Sequence, residues 1–406
     1  MRASTISAAL LWASGALCFD QQVPLNTHPL SPSPSDDAPS YRGKLLELHK
    51  ALVSISSISG LEMDIGYWLA EYFYEKGWTS ISQTVPPREN TPAGHIRRNV
   101  MAWPSHERQP HPKVLLTSHI DTVPPYIPYS IEYGEITKDT RINGRGSVDA
   151  KASIATMIVA IDELLDANKV TPDDVMLAFV VGEEVSGDGM RSFNEFIKSE
   201  MESVQPDAVI FGEPTEKKLA CGHKGALYCG IQARGQGGHS GYPWLGKSAN
   251  EVLVRAMARI LDADLGSSER FGNTTVNIGL MEGGVAQNVI PEHAFAGLMV
   301  RVALGPQETG GKIVKDRIQA ILDEVDDEAF TFDCSQGYGF VETNWFETVV
   351  VNYGTDVPHL TGDFTKYLYG PGTILVAHGP QENITVGDLE AAVEDYQKLI
   401  LHSLEK

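Results

Sequence analysis

The segment KVLLTSHID (residues 113–121) joins a short apolar run to a polar end. A near-continuous apolar run of this length is typical of a strand buried on both faces, as in a parallel sheet covered by helices. The strand ends in Ser118, His119 and Asp121. In open α/β sheets, ligands bind beyond the carboxyl ends of the strands. The segment therefore predicts an α/β fold with a functional site at one edge of its sheet.

Other segments extend this pattern along the chain. Apolar runs typical of strands occur at 98–103, 175–181, 207–212 and 372–377. Between them the sequence predicts helices at 41–58, 62–77, 149–168 and 188–200, and a terminal helix from 386 onward. This alternation predicts an α/β protein with a mainly parallel sheet and flanking helices.

A second pattern begins after about residue 218. Apolar and polar residues alternate at 219–234, 274–283 and 293–304, as in half-exposed antiparallel strands, and helices are predicted at 247–263 and 311–325. Two helices on one face of a four-stranded sheet would form a small α+β domain. Because the first pattern returns near the end, we expect this domain to be an insertion (218–338) between two parts of a larger domain (41–217 and 339–406).

The N-terminal residues resemble a targeting signal. Arg2 precedes a run of apolar and small residues that ends at Cys18 and is too short to span a bilayer. We therefore expect residues 1–18 to be a cleaved secretory signal, the alternative being a buried N-terminal helix. Residues 19–40, rich in Pro, Ser and Asp toward their end, are predicted to be a linker. The predicted location is extracellular.

Composition excludes two classes of partner. The chain has 32 Lys and Arg against 53 Asp and Glu, a formal net charge of −21. Binding to nucleic acid or to anionic lipid through bulk charge requires clustered basic residues, so we expect neither partner. An apolar fraction of 42% is enough for a packed core. Two acceptor tripeptides, which begin at Asn273 and Asn383, predict glycosylation of a secreted protein.

Four cysteines do not form a disulfide scaffold in a chain of this length. If Cys18 leaves with the signal, Cys221, Cys229 and Cys334 remain, and their odd number predicts a free thiol or an intermolecular bond. Cys221 and Cys229 bracket a turn-like segment and could close a hairpin disulfide. The sequence has no C-x-x-C pair, so a thiolate zinc site is not expected.

Acidic residues and histidines follow several predicted strands. Because parallel strands end at one edge of a sheet, these side chains should meet there: His119, Asp121, Asp149, Glu183, Glu184, Glu213 and His378. Few Lys or Arg lie nearby in sequence to neutralise so many carboxylates, whereas divalent cations would do so. Imidazole with carboxylate suits zinc, and also cobalt or manganese. A carboxylate can bridge two metal ions about 3.5–4 Å apart.

Each piece of this pattern has an ordinary explanation when taken alone. His119 and Asp121 could be a hydrogen-bonded pair, and Glu183 and Glu184 could form a solvated turn. A single His378 is not informative. Their joint placement at successive strand ends favours a metal site.

Together the motifs resemble the di-zinc metallopeptidase family that includes acetylornithine deacetylase, succinyl-diaminopimelate desuccinylase, aminoacylase and glutamate carboxypeptidase. The resemblance covers residues 45–405. It implies the zinc-peptidase fold, with a catalytic domain and an inserted lid or dimerisation domain. The matching segments are SHIDTVP (118–124), GRGSVDAK (144–151), GEEVSG (182–187), GEPT (212–215), GGHSGYPWLGKSA (237–249), NVIP (288–291) and GPG…AHGPQE (370–382).

The resemblance implies a role for each residue at the sheet edge. His119 and Glu213 would hold one zinc ion, Glu184 and His378 would hold the other, and Asp149 would bridge both. Asp121 would orient the His119 imidazole. Glu183 would be the general base, since metal ions lower the pKa of water and a neighbouring carboxylate can then take its proton.

The resemblance also implies roles for residues of the inserted domain. His239 would reach the partner subunit's site in a homodimer and stabilise the oxyanion of the tetrahedral intermediate. Asn288 and Arg301 resemble substrate-binding positions, and a guanidinium can bind a substrate carboxylate in a fork geometry. Without the resemblance, His239 would be a histidine of a Gly-rich turn and Arg301 a surface strand residue. Lys224 is a weaker candidate.

Residues 241–248 match the phosphate-loop pattern G-x-x-x-x-G-K-S by chance. That pattern needs small residues whose backbone N–H groups surround phosphate, and here the interior is Tyr-Pro-Trp-Leu. No buried strand precedes it. We therefore predict no nucleotide site.

The sequence thus predicts a secreted homodimeric hydrolase with two zinc ions per subunit. Its substrate would be a small peptide cleaved next to a free carboxylate, as by a carboxypeptidase or dipeptidase. One alternative is an N-acyl-amino-acid deacylase, which the residues do not separate from a carboxypeptidase. The other is a secreted metal-binding protein without catalysis, against which the retention of Glu183 and Asp121 counts.

Overall fold

The computed structural model describes residues 38–343 and 349–405 of the chain. The predicted signal (1–18) lies outside the described residues, as does the predicted linker up to residue 37. Within the described part, no helix combines the length and apolarity that crossing a membrane would require.

The α-helices of the described part number seven, and three short 3₁₀ segments occur at Pro243–Leu245, Val357–His359 and Ile374–Val376. Two of the helices begin at side-chain caps: the Ser248 and Thr385 hydroxyls accept N–H groups of the first turns. The helices are α1 (Arg42–Ser54), α2 (Met63–Glu75), α3 (Lys151–Asp166), α4 (Asp188–Ser199), α5 (Ala249–Asp262), α6 (Gln307–Val325) and α7 (Val386–Leu404).

The described part of the chain also contains twenty strands in five sheets. They are β1 (Thr79–Val85), β2 (Arg97–Trp103), β3 (Val114–His119), β4 (Ser130–Ile131), β5 (Arg141–Asn143), β6 (Val175–Val180), β7 (Ala208–Gly212), β8 (Ala220–His223), β9 (Gly225–Arg234), β10 (Gly238–His239), β11 (Ser267–Ser268), β12 (Gly272–Asn273), β13 (Thr275–Gly283), β14 (Val289–Ile290), β15 (His293–Val302), β16 (Phe330–Cys334), β17 (Val341–Glu342), β18 (Val349–Val351), β19 (Thr365–Tyr369) and β20 (Asn383–Thr385).

The largest sheet has the order β1-β2-β6-β3-β7-β19-β8-β17, with β18 also paired to β8. Its four middle strands are parallel, since β3 pairs in parallel with β6 and β7, and β19 pairs in parallel with β7. The outer strands are mostly antiparallel. The predicted α/β class with a parallel centre is therefore confirmed. Parallel middle strands place their carboxyl ends at one edge.

Helices cover both faces of this sheet, which explains its apolar runs. Leu116 of β3 packs in a cluster with residues of α1, α2, α3 and α7, whereas its neighbour Leu115 packs on the other face with α4. All six residues of β3 and all six of β6 are buried. Strands buried on both faces cannot alternate polar and apolar side chains, as the sequence indicated.

A second, antiparallel sheet has the order β13-β15-β9-β16 and packs against α5 and α6. Burial alternates along β15, as expected for a strand with one covered face. These elements lie within the predicted insertion, although β8, at its start, pairs with the larger sheet. The division into 41–217, 218–338 and 339–406 stays our proposal for the domains.

One predicted strand is wrong. Residues 372–377 form a 3₁₀ turn around Ile374–Val376, and the buried strand in this region is β19. Gly370, Pro371 and Gly372 follow β19, and Gly372 has a φ of 72°, which turns the chain out of the sheet. Leu375 of the turn is exposed, whereas Val376 and Ala377 are partly buried against the core.

The proposed hairpin disulfide between Cys221 and Cys229 is also wrong. Cys229 is bonded to Cys334, its register partner on the neighbouring strand β16, and Cys221 is a buried free thiol. Cys221 lies on β8 and Cys229 on β9, consecutive strands that belong to different sheets. Eight residues of extended chain span roughly 25 Å, far beyond the reach of a disulfide.

Candidate active site

Three adjacent parallel strands bring carboxylates and a histidine to one edge of the large sheet. β3 ends at His119, β6 is followed by Glu183 and Glu184, and β7 is followed by Glu213. The turn after β6 requires a glycine, because Gly182 has a φ of 75° and an added Cβ would lie 1.9 Å from Asp188 Oδ1.

Two loops complete the cluster from further along the chain. Asp149 lies just before α3, and His378 follows the 3₁₀ turn of Ile374–Val376. His378 has a φ of 62°, a left-handed conformation that is uncommon for residues other than glycine. Such conformations concentrate at functional sites, where the surrounding structure fixes them.

Asp149 lies between the two histidines. Its Oδ1 is 3.2 Å from His119 Nε2, and its Oδ2 is 3.2 Å from His378 Nε2. Glu184 Oε2 is 2.9 Å from His378 Nε2, while Glu213 Oε2 is 3.9 Å from His119 Nε2. The two oxygens of one carboxylate thus face two different pairs of potential ligands.

These side chains could hold metal ions. Ligand atoms lie within 4.8 Å of one another in two groups, one formed by His119, Asp149 and Glu184 and the other by His119, Glu183 and Glu213. Imidazole nitrogen with carboxylate oxygen is a donor set suited to zinc and similar divalent ions. The second group includes Glu183, to which the resemblance gave proton transfer rather than metal binding.

The electrostatics of the cluster also fit a cation. Burial, followed by the charge of Glu213, raises the pKa of Glu183 well above its ordinary value. Burial and the neighbouring carboxylates likewise raise the pKa of Glu213 well above its ordinary value. Burial opposes ionisation of Asp149, but hydrogen bonds from both histidines lower its pKa overall. Asp149 and Glu184 raise the pKa of His378 to about 10. These shifts reflect the crowding of buried carboxylates, whose charge divalent cations would neutralise.

Asp121 is buried next to the cluster and contacts several of its residues. Its Oδ1 lies 3.5 Å from His119 Nδ1 and accepts the Glu183 N–H at 3.1 Å, and its Oδ2 accepts the Glu184 N–H at 3.3 Å. The Ser59 hydroxyl donates to Oδ2 at 2.7 Å. Burial opposes the charge, yet His119 and these donors lower the pKa of Asp121. The His119 Nδ1 also lies 3.0 Å from the Asp121 backbone carbonyl oxygen. Asp121 therefore positions the imidazole through its backbone and side chain together, and the Glu183–Glu184 turn through its carboxylate.

A cavity of about 760 Å³ opens over the cluster. Arg301, predicted to bind substrate, lines it from β15, together with Arg191 of α4. Asn288 and His239 do not line this cavity. His239 is exposed on β10 beside β14, where its Nδ1 accepts the Gly241 N–H at 3.0 Å.

The remaining candidates lie away from the cavity. The Lys224 ammonium donates to the Asn273 carbonyl at 2.7 Å, so its side chain links the segment between β8 and β9 to β12. Asn273 is exposed on β12, and Asn383 is half-buried on β20.

Sequence reasoning missed a buried carboxylate in the cavity wall. Asp356 lies near the cluster, and burial, only partly offset by His119, raises its pKa to about 7. It follows β18 in the segment Tyr353-Gly-Thr-Asp356. Glu213 was found because an acidic residue follows an apolar strand. The same pattern holds for Asp356, but β18 has only three residues and is therefore hard to recognise in the sequence.

A sequence profile described as Peptidase family M20/M25/M40 matches residues 115–402. This chain belongs to that family. A Peptidase M20 domain-containing protein of Sordaria macrospora is 54% identical over 392 residues, covering 91% of this chain and 87% of that protein. A probable carboxypeptidase of Aspergillus oryzae is 44% identical over 384 residues, covering 89% of this chain and 88% of that protein.

Solved structures of the M20 family share the fold. An M20 family metallo-carboxypeptidase from Sulfolobus solfataricus matches 89% of this chain and 100% of its own, with a TM-score of 0.67 and 18% identity. A dinuclear metal binding peptidase of the family from Bacillus subtilis matches 90% of this chain and 99% of its own, with a TM-score of 0.60 and 14% identity.

Membership of the M20 family confirms the resemblance seen in the sequence and makes the protein a hydrolase of peptide bonds. The family is metal-dependent, and the donor cluster at the sheet edge is placed to bind a metal ion.

Proposed function

We propose that this protein is a secreted carboxypeptidase or dipeptidase with two zinc ions per subunit, which cleaves the peptide bond next to a free carboxylate. The observation that carries the proposal is the position of Asp149, whose two oxygens face His119 and His378. The names of a probable carboxypeptidase of Aspergillus oryzae and a metallo-carboxypeptidase of Sulfolobus solfataricus support this substrate class.

The ligand set follows the two halves of the cluster. His119 and Glu213 would hold one ion, Glu184 and His378 the other, and Asp149 would be shared. Imidazole and carboxylate donors favour zinc, with cobalt or manganese as substitutes. When bound, the ions would supply Lewis acidity, which polarises a carbonyl oxygen and lowers the pKa of water.

Glu183 would move the proton. It borders the cavity, and Asp121 accepts its backbone N–H at 3.1 Å, which holds the backbone of Glu183 beside the cluster. Burial and the neighbouring Glu213 raise its pKa, which favours taking a proton from water and then giving it to the leaving amine. Its carboxylate would thus face the water, and Glu184, the next residue, would face the metal.

Arg301 would bind the free carboxylate of the substrate. It borders the cavity from the antiparallel sheet, across from the acidic cluster. A guanidinium can hold a carboxylate through two parallel hydrogen bonds and would place the adjacent peptide bond over the cluster. An N-acyl amino acid offers the same carboxylate, so the deacylase remains the second candidate.

Homodimerisation through the antiparallel sheet would complete the site. β13 is an edge strand, and its Leu280 and Met281 are 59% and 50% exposed. Val254 and Leu261 of α5 are also exposed. Exposed apolar groups beside an unpaired edge favour association with a second copy. Since His239 does not line the cavity of its own chain, it would stabilise the oxyanion in the partner's site.

Complementation tests this arrangement. Glu183→Ala and His239→Ala homodimers should both be inactive. Dimers reassembled from a mixture of the two should regain activity, because one site of each heterodimer then contains both wild-type residues. A monomer in solution, or no recovery in a mixture shown to contain heterodimers, would exclude the shared site.

Secretion is supported by three features. The N-terminal residues 1–18 have the pattern of a signal, the Cys229–Cys334 disulfide suits an oxidising compartment, and Asn273, an acceptor for glycosylation, is exposed. Asn383 is the second proposed acceptor. Expression of the full chain in a secreting host should give protein in the medium that begins near residue 19. Retention inside the cell with residues 1–18 intact would contradict the proposal.

A substrate panel tests the chemistry. The zinc-loaded protein should hydrolyse unmodified dipeptides, and amidation of the substrate's C-terminal carboxylate should abolish turnover. Faster cleavage of N-acetyl amino acids than of dipeptides would favour the deacylase. If the protein binds zinc but hydrolyses neither dipeptides nor N-acetyl amino acids, the result would support the alternative, a metal-binding protein without catalysis.

A further inference from the structure

Glu382 lies beneath the acidic cluster and contacts the loop that carries Asp149. Its Oε1 accepts three backbone N–H groups, from Gly146 at 2.9 Å, Val148 at 3.2 Å and Asp149 at 3.3 Å. The side chain is 1% exposed. One carboxylate oxygen therefore fixes the backbone of the loop up to the proposed bridging residue.

Arg145 connects the other oxygen of Glu382 to the loop of His378. Its Nη1 donates to Glu382 Oε2 at 2.7 Å, and its Nη2 donates to the His378 carbonyl at 3.3 Å. Its Nε donates to the Pro125 carbonyl at 3.2 Å. The guanidinium is 2% exposed, so the two opposite charges neutralise each other away from water.

The two halves of the cluster differ in how they are held. His119 is the last residue of β3 and Glu213 follows β7, neighbouring parallel strands joined by the backbone hydrogen bonds of the sheet. His378 instead lies on a loop, with an exposed ring and a φ of 62°. The loop is anchored at its two ends, by the bridge between Thr215 and Thr373 and by the pairing of β20 with β5. Between these ends, the Arg145–Glu382 pair ties the backbone of His378 to that of Asp149.

We propose that Glu382 and Arg145 are positioning residues that hold His378 and Asp149 at the spacing needed to bind one metal ion together. This inference rests on the proposed two-metal site and concerns the ion on the His378 side. Partners that orient metal ligands without touching the metal commonly change affinity by about 10- to 100-fold when they are removed.

Metal titration of the chelator-stripped protein tests the pair. In Glu382→Gln the new amide cannot form the ion pair with Arg145, although its oxygen can still accept from the loop. One of the two zinc equivalents should bind about 10- to 100-fold more weakly than in the wild type. The other should weaken much less, because it shares Asp149 but keeps His119 and Glu213. Calorimetry and the zinc content after dialysis measure both equivalents without reference to activity.

A second substitution keeps the test independent of folding. Arg145→Lys retains a positive charge beside Glu382, but a single ammonium cannot reproduce the fork that also reaches the His378 carbonyl. It should weaken the same zinc equivalent, by less than Glu382→Gln does.

Glu390→Gln is the matched control. Glu390 forms a similar buried ion pair, with Arg42, which joins α7 to α1 away from the cluster. This variant should lower the unfolding temperature but bind both zinc equivalents with wild-type affinity, which separates positioning of ligands from general stability.

The outcomes separate the inference from the function on which it rests. If the wild type binds two equivalents and both Glu382→Gln and Arg145→Lys bind them within twofold of wild-type affinity, the positioning role is excluded and the function stands. If Glu390→Gln loses zinc equally, the role is also excluded, because any buried ion pair would then have the effect. If the wild type itself binds no zinc, the proposed function fails first.

Discussion

At the residue scale, the site depends on the carboxylate of Asp149, which lies between the two proposed metal positions. Asp149 contacts both histidines through different oxygens, and Asp121 fixes His119 and the Glu183–Glu184 turn together. A substitution of any one of these groups therefore disturbs several ligands. Glu183 differs, since its proposed role needs its carboxylate in turnover and its removal should leave the ligands in place.

Glu183→Gln should lower kcat by at least about 100-fold, because general acid–base groups contribute about 10²–10⁴-fold to the rate. The amide keeps the size of the side chain but cannot accept a proton from water. Metal content should remain at two ions per subunit. Steady-state kinetics and elemental analysis check this, with Glu71→Gln on the exposed face of α2 as the control. A loss of zinc in parallel with activity would instead make Glu183 a ligand.

Arg301→Met should raise KM for dipeptides by roughly 10- to 100-fold with a much smaller change in kcat, because a charge-assisted hydrogen bond to the substrate carboxylate is lost. C-terminally amidated dipeptides, which lack the carboxylate, should not be turned over by either the variant or the wild type. Arg255→Met, at an exposed position of α5, is the matched control. An unchanged KM would remove Arg301 from the carboxylate site.

Much of the candidate site could be predicted because each residue follows a conspicuous local pattern. His119, Glu183 and Glu213 stand directly after buried apolar runs. Ser59 and Asp356 could not be found in this way, since their partners are far away in sequence and contact them only through the fold. Residues that act through such contacts carry little local signal.

At the element scale, buried histidines support the loops of the site. His49 of α1 is fully buried and its Nε2 lies 2.8 Å from the Ser147 carbonyl, to which the neutral ring donates. Burial lowers the pKa of His49 to about 4. The unfolded chain therefore binds a proton between about pH 6.5 and pH 4 that the folded protein does not bind.

Stability should consequently fall as the pH drops from about 6.5 to about 4, and His49 alone should account for roughly 3 kcal/mol of the loss. In His49→Gln, whose amide can still donate to Ser147, this part of the dependence should vanish. Urea unfolding of the metal-free protein at several pH values measures it, with exposed His106→Gln as the control. An unaltered slope in His49→Gln would show that other groups cause the acid sensitivity.

The disulfide joins two neighbouring strands of the antiparallel sheet but closes a long loop. Cys229 and Cys334 are separated by 105 residues, so Cys229→Ser should lower the free energy of unfolding by on the order of 2–4 kcal/mol. Chemical denaturation checks this change. Cys221→Ser leaves the disulfide intact and is the control for loss of a cysteine. Equal denaturation midpoints for oxidised wild type and Cys229→Ser would contradict a stabilising role.

The wrong elements show where local patterns fail. The run at 372–377 has the composition of a buried strand, but the preceding Pro371 and its own first residue, Gly372, direct it out of the sheet. The partner of Cys229 depends on pairing between β9 and β16, which are distant in sequence. Short edge strands such as β17 and β18 have too few residues to produce a periodic signal.

At the scale of the whole molecule, the residues proposed for the site come from different sheets. The larger sheet and its following loops supply the acidic cluster, and the four-stranded antiparallel sheet supplies Arg301 on the cavity wall. His239 lies outside the cavity on the small β10-β14 sheet. The order of the central strands could not be predicted from the sequence, because it depends on contacts between distant segments. The class of each sheet could be predicted, since full or alternating burial leaves a clear pattern in the residues.

The central claim is that two metal ions bind at the cluster around Asp149 and that peptide hydrolysis depends on both. The most direct measurement is stepwise addition of zinc to the chelator-stripped protein, with binding and dipeptide hydrolysis followed in the same samples. The account predicts no activity without metal and full activity only when two equivalents per subunit are bound. Hydrolysis by the stripped protein, or full activity at one equivalent with no second site, would contradict it.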